Sequence, residues 1–127
     1  MDERIQEVIS FLRSDDYYLT AEDPLDELSR SVNLSRSRLR HIFRVEAGMP
    51  WGRFVKSVRI ERAMNLLTSS YLRVKEVCVK VGINDESQFV RDFRRAVGVT
   101  PARYRSCAAS LKLQERAHLD ITSRANK

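Results

Sequence analysis

The sequence predicts an all-α protein of about seven helices, arranged as two helix-turn-helix subdomains joined by a long linker helix. Three observations predict it. Apolar residues recur at helical spacing along most of the chain. Gly and Pro are scarce, four and three among 127 residues. The chain also matches itself at an offset of about 50 residues. The expected organisation is a first subdomain over residues 1–50, a linker helix over 51–67, a second subdomain over 68–106 and a polar tail over 107–127.

The elements follow in order. Ile5, Val8, Ile9 and Leu12 make an i, i+3, i+4, i+7 stripe, which places a first helix at residues 2–14. Residues 15–24 are polar, contain Pro24 and read as a loop. Asp23 or Pro24 starts a second helix through Leu25, Leu28 and Val32. After a break at Asn33, Ser35 caps a third helix with Leu39, Ile42, Phe43 and Glu46 along one side, closed by Gly48. Pro50 opens the long fourth helix, with Phe54, Val55, Val58, Ala63, Leu66 and Leu67 inward and Thr68-Ser69-Ser70 as its end. A fifth helix runs through Val74, Val77, Cys78 and Val81 to Gly82. Asn84 or Asp85 caps a sixth carrying Phe89, Phe93, Ala96 and Val97, closed by Gly98. Thr100-Pro101 starts a short seventh helix through Tyr104.

The repeat is what turns a set of helices into a topology. Leu39-x3-Phe43-x4-Gly48 returns as Phe89-x3-Phe93-x4-Gly98, and Arg53-Phe54 returns as Arg103-Tyr104. Upstream, one fewer residue separates the pairs Leu28 and Val77, Ser29 and Cys78, Asn33 and Gly82, Leu34 and Ile83. A tight turn between crossed helices often needs a left-handed residue, which Gly adopts freely and Asn tolerates best among the rest. The small Ser29 and Cys78 let the next helix approach closely. Two such turns in register, each followed by a basic helix, define two helix-turn-helix units.

Charge is divided unevenly. Residues 1–34 hold three Arg against nine acids, a net −6; residues 35–127 hold twenty Lys or Arg against eight acids, a net +12. The basic part is rich in Arg, which suits bidentate contact with phosphate and guanine. Cys78 and Cys107 with His41 and His118 show no metal-ligand spacing, so reduced thiols are expected and no metal or cofactor. No Ser-His-Asp or Cys-His set, phosphate loop or paired carboxylates mark an enzyme. With no apolar run of membrane length and no signal-peptide pattern at the start, a cytoplasmic location is expected.

These residues also resemble a known family. The stretch Val74-x-Glu76-Val77-Cys78-x2-Val81-Gly82-Ile83-x-Asp85-x-Ser87-Gln88-Phe89-x-Arg91-x-Phe93-Arg94-Arg95-x2-Gly98-Val99-Thr100-Pro101-x2-Tyr104-Arg105 is similar to the DNA-binding domain of AraC/XylS-type regulators. The resemblance extends over residues 5–105. The chain departs from the pattern at Ile83, where Phe is preferred, at Gln88, where Tyr is, and at Ser29 and Cys78, where Ala is. It implies a sequence-specific regulator of transcription on duplex DNA, expected to be an activator and of the stand-alone type that lacks a sensor domain. Such a chain would bind as a monomer, with RNA polymerase as a second partner through the acidic first helix and loop, at Asp15, Asp16, Glu22 and Asp23.

In a helix-turn-helix the second helix enters the major groove. With Leu39, Ile42 and Phe43 inward, the third helix presents Ser37, Arg40 and His41 to bases. With Phe89 and Phe93 inward, the sixth presents Glu86, Ser87, Gln88, Val90 and Arg91; these positions coincide with the base readers of the resembled family. Arg40 and Arg91 suit guanine, Val90 a thymine methyl and Glu86 cytosine N4. Ser35, Arg36, Arg44, Asp85, Arg94, Arg95, Thr100 and Arg103 are placed at phosphates, through side chains or helix-start amides. The competing expectation is that several of the arginines are simply solvated or pair with Glu46, Asp92 or Glu61. The competing function is a helical protein–protein adaptor or anti-activator; RNA binding is disfavoured by outward faces without stacking aromatics.

Overall fold

The computed structural model describes residues 2–14, 16–111 and 113. Among them eight helices form: α1 (Glu3–Ser14), α2 (Asp16–Thr20), α3 (Pro24–Ser31), α4 (Arg36–Ala47), α5 (Trp51–Ser69), α6 (Val74–Lys80), α7 (Glu86–Val97) and α8 (residues 101–111). The chain signals its own helix ends. Asp23, Ser35 and Asp85 accept from the amides of Asp26, Arg38 and Gln88 at 3.1, 3.1 and 3.2 Å, each satisfying an orphan donor of a first turn. Gly48 and Gly98 close α4 and α7 in the left-handed conformation, at φ 75° and 100°.

The two predicted turns are built alike. Leu34 N donates to Ser29 O at 2.9 Å, and Ile83 N donates to Cys78 O at 3.0 Å. Asn33 N donates to Arg30 O and Gly82 N to Val79 O. Asn33 has φ 58° and Gly82 φ 86°, so each turn is a helix C-terminus closed by one left-handed residue. Ser29 and Cys78 are buried, 3% and 2% exposed, beneath these turns.

Two apolar clusters hold the molecule. The first joins α1, α3 and α4 to the beginning of α5, around Leu28, Leu39 and Phe43. The second joins α6 and α7 to the end of α5, around Val77, Phe89 and Phe93. The ring of Phe43 lies 5.0 Å from that of Phe54, and the ring of Phe93 lies 5.6 Å from that of Tyr104, so the repeat extends to core contacts. With 3.6 residues per turn, Trp51, Phe54, Val55 and Val58 centre on one face of α5. Ile60, Ala63, Leu66 and Leu67 centre on another, roughly 140° round the axis. One helix therefore mounts two cores on different faces.

Several expectations need correcting. Residues 16–20 are helical rather than loop, because Leu19 is an apolar anchor, 1% exposed in the first cluster. Thr68 and Ser69 continue α5, the Thr68 hydroxyl donating back to Met64 O at 3.1 Å. Trp51 and Ile60 join the core, whereas Glu46 and Ala96 are exposed. The last described helix runs on from Tyr104 to residue 111. Most of the tail expected over 107–127 lies outside the described residues.

α2 ties the clusters together. The Leu19 carbonyl accepts from Arg59 Nη2 at 2.9 Å, and Asp16 accepts from Arg62 at 2.8 and 3.2 Å. A Cβ added to Gly82 would lie 1.9 Å from Leu19 O, so the second turn rests directly on the backbone of α2. Burial lowers the Arg59 pKa, while the hydrogen bonds that Arg62 donates to Asp16 raise its own. At the other end Arg105 donates to the carbonyls of Leu67, Ser70 and Leu72, capping the end of α5 with positive charge.

Candidate nucleic-acid interface

The apolar registers of α4 and α7 decide what these helices turn outward. Leu39 and Phe43 are fully buried and Ile42 half-buried, which leaves Ser37, Arg40, His41 and Arg44 exposed. Phe89 and Phe93 are fully buried, which leaves Glu86, Ser87, Gln88, Arg91, Arg94 and Arg95 exposed and Val90 half-buried. Glu86, Ser87, Val90 and Arg91 line one shallow depression at the N-terminal part of α7.

The residues placed at phosphates divide into groups. Arg94, Thr100 and Arg103 line a single open groove beside the start of α8, where Thr100 Oγ1 accepts from Arg103 N at 3.3 Å. Arg95 does not line it. Arg44 is exposed on α4. Ser35 and Asp85 spend their side-chain oxygens on their own helix caps, so a phosphate at either start would be met by the remaining first-turn amides. Arg36 is engaged by Asp23 at 2.9 Å.

Among the described residues these arginines form no ion pair with Glu46, Asp92 or Glu61. Glu46 accepts from Asp2 N, Glu61 lies 3.8 Å from Arg13, and Asp92 is met by Lys56 at 3.0 Å. Among the described residues, no acid forms an ion pair with Arg40, Arg44, Arg91, Arg94, Arg95 or Arg103. These faces therefore carry uncompensated positive charge, with hydrogen-bond donors free for an acceptor-rich ligand.

Two features escaped the sequence reading. Arg38 shares a cleft with His41, Asp2 and Arg4 where the start of α1 meets α4, so His41 stands at the margin of the α4 face. Gln88 is engaged at both ends of its amide, donating to Asp92 Oδ1 at 2.9 Å and accepting from Arg91 Nη2 at 3.0 Å. The available signal was Asp92 itself, an acid at the repeat position filled by Ile42 in the first half.

The family described as a helix-turn-helix domain matches residues 28–106, from the α3 turn through the start of α8. The chain belongs to the AraC/XylS family of helix-turn-helix proteins. It is 28% identical over 106 residues to the arabinose operon regulatory protein of Escherichia coli (strain K12), covering 84% of this chain and 36% of that protein. It is 35% identical over 81 residues to the transcriptional activator RhaR of Salmonella heidelberg (strain SL476), covering 64% of this chain and 29% of RhaR. The AraC/XylS-family chain thus spans about a third of the length of these curated relatives. Its fold matches the DNA-binding domain of AdpA, solved in complex with a target DNA, with a TM-score of 0.74 at 24% identity over 87% of this chain and 97% of that one. No helix among the described residues is long and apolar enough to cross a membrane.

Proposed function

We propose that the chain is a sequence-specific DNA-binding regulator of transcription that seats α4 and α7 in successive major grooves on one face of a duplex. The observation that carries this reading is the duplicated unit: two equivalent turns, each followed by a helix with an exposed face of unpaired arginines, mounted on one linker. The 19 residues of α5 rise about 28 Å at 1.5 Å each. With the widths of the flanking helices, that spacing suits the groove repeat of about 34 Å. One chain then covers a non-palindromic site of about two helical turns, as a monomer. Kinship with RhaR, named a transcriptional activator, and likeness to the DNA-bound domain of AdpA support the same reading.

In this arrangement Arg40 and Arg91 take guanine edges, with Ser37, His41, Glu86, Ser87 and Val90 completing the base-facing surface. Arg44, Arg94, Arg95 and Arg103 meet phosphates, together with the first-turn amides beside Ser35, Asp85 and Thr100. Arg36 joins them by sharing its guanidinium with Asp23. An activating contact with RNA polymerase falls to Glu3, Glu7 and Glu22, which are exposed, because Asp16 and Asp23 are already paired and Asp15 lies outside the described residues.

Recovering bound fragments of sheared genomic DNA across a salt series tests the reading. The expected result is a shared motif about two turns long, with one chain per site in sedimentation. Recovery without a motif, falling steeply with salt, would reduce the function to phosphate binding. No recovery at any salt would favour the protein–protein adaptor instead.

A further inference from the structure

We propose that Asp92 and Lys56 are positioning residues that fix the reading arginine of α7 through Gln88, giving the second half a pre-set reader that the first half lacks. The proposal rests on the DNA-reading role of α7. Lys56, on the linker helix, places Nζ 3.0 Å from Asp92 Oδ1. Gln88 Nε2 donates to the same oxygen at 2.9 Å, and Gln88 Oε1 accepts from Arg91 Nη2 at 3.0 Å. The line of contacts runs from α5 through the interior side of α7 to its outer face.

The chemistry gives this line a direction. The Asp92 side chain is only 9% exposed, and a carboxylate in that setting needs partners that donate. An ionised carboxylate only accepts, so it must face the NH2 end of the Gln88 amide. That turns Oε1 outward, where it can only accept, and the donor it meets is Arg91. Gln88 is therefore placed as a holder of Arg91, these two bonds taking one of its two N–H donors and one of its two Oε1 lone pairs. Arg91 keeps four of its five donors for a base, enough for a bidentate pair.

In the first half, Ile42, Arg38 and His41 stand at the positions of Asp92, Gln88 and Arg91. Ile42 packs against the first cluster and has nothing to offer an amide. Arg40 projects from α4 with no described residue pairing it. Ordering a free arginine on binding costs about two- to tenfold in affinity, a loss that a side chain held beforehand avoids in part.

Selection from randomised duplex sites, repeated for each variant, tests the proposal. Gln88→Ala and Asp92→Ile should each lower discrimination about two- to tenfold at the base pair that Arg91→Ala abolishes. Positions read by α4 and the salt slope should stay as they were. Neither change should add to Arg91→Ala, and Asp92→Asn, which keeps an acceptor, should restore most of the preference. Lys56→Gln should weaken the same base pair. Should Asp92→Ile fail to fold, Gln88→Ala at an exposed position and the conservative Asp92→Asn still decide the matter, Asp92→Asn then being expected to keep most of the wild-type preference. An unchanged preference in Gln88→Ala, or uniform weakening at every position, overturns the proposal. A wild-type chain that selects no motif overturns the underlying reading and the proposal with it.

Discussion

The turn before α4 and the turn before α7 make the same backbone hydrogen bonds, yet they stand in different surroundings. Asn33 is exposed, whereas Gly82 lies under the backbone of α2. The first turn needs only a left-handed conformation, which Asn tolerates. The second needs that conformation and also the space that a missing Cβ leaves. Two copies of one motif have thus diverged according to what each is pressed against.

Substitution at the two turn residues should separate these demands, and the effect at Gly82 is the largest expected in the molecule. Gly82→Ala combines left-handed strain with a backbone collision, a loss of about 3 kcal/mol or more. Asn33→Ala carries the strain alone, about 1 kcal/mol. Asn33→Gly should fall within about 0.5 kcal/mol of the natural chain. Urea unfolding measures all three. Equal losses for the two alanine variants would mean that α2 does not rest on the second turn.

The two reading helices give the next contrast. Arg40→Ala and Arg91→Ala should each cost about 1–3 kcal/mol of base discrimination, at base pairs roughly one helical turn apart. Arg44→Ala and Arg94→Ala should weaken binding to every sequence and reduce the salt slope by about 0.9 each. Competition binding on single-base-pair variants, at several salt concentrations, reads both effects. Loss of preference at one shared base pair for both Arg40→Ala and Arg91→Ala would defeat the two-groove arrangement.

What could be read from the residues beforehand follows from the range of the forces involved. The turns, caps and core registers were legible because each is dictated within a few residues: Asn33 and Gly82 by backbone conformation, Ser35 and Asp85 by capping, Phe43 and Phe93 by period. α2 was hidden because one buried side chain, Leu19, sets no period, and its partners Arg59, Arg62 and Gly82 are forty or more residues away. Trp51 and Ile60 were missed because α5 changes its buried face midway, which a single stripe cannot describe. On the candidate interface, outward positions followed from the core register. The hold of Asp92 on Gln88, and of Asp23 on Arg36, depended on pairings between elements.

α2 has no counterpart in the second half, so weakening it tests whether the halves need a strap. Arg62→Ala removes the pair with Asp16, whose side chains are 35% and 31% exposed. Partial solvent screening limits the loss to about 1 kcal/mol or less. Thermal melting of Arg62→Ala should therefore show a small downward shift with one transition retained. Two resolved transitions would show that α2, rather than α5, couples the clusters.

A last contrast lies beneath the two turns, where Ser29 and Cys78 are counterparts. Burial pushes the Cys78 thiol above its ordinary pKa of 9.0, with the negative charges of Glu86 and Asp85 adding to the shift. The protonated thiol is also the form that donates to Ile83 O, at 3.2 Å. Because the folded pKa is raised, the stabilisation is fully present below pH 9. Above that, the unfolded chain releases the thiol proton while the folded chain retains it, so stability falls as pH rises towards the folded pKa. The limiting slope is about 1.4 kcal/mol per pH unit. Cys78→Ser, which places the first half's residue in the second turn, should remove this contribution. The difference between the two chains isolates the contribution of Cys78. Urea unfolding at pH 8 and pH 10 should therefore show a steeper alkaline loss for the natural chain than for Cys78→Ser. Equal slopes would mean that the Cys78 thiol is not held protonated by its burial in the second turn.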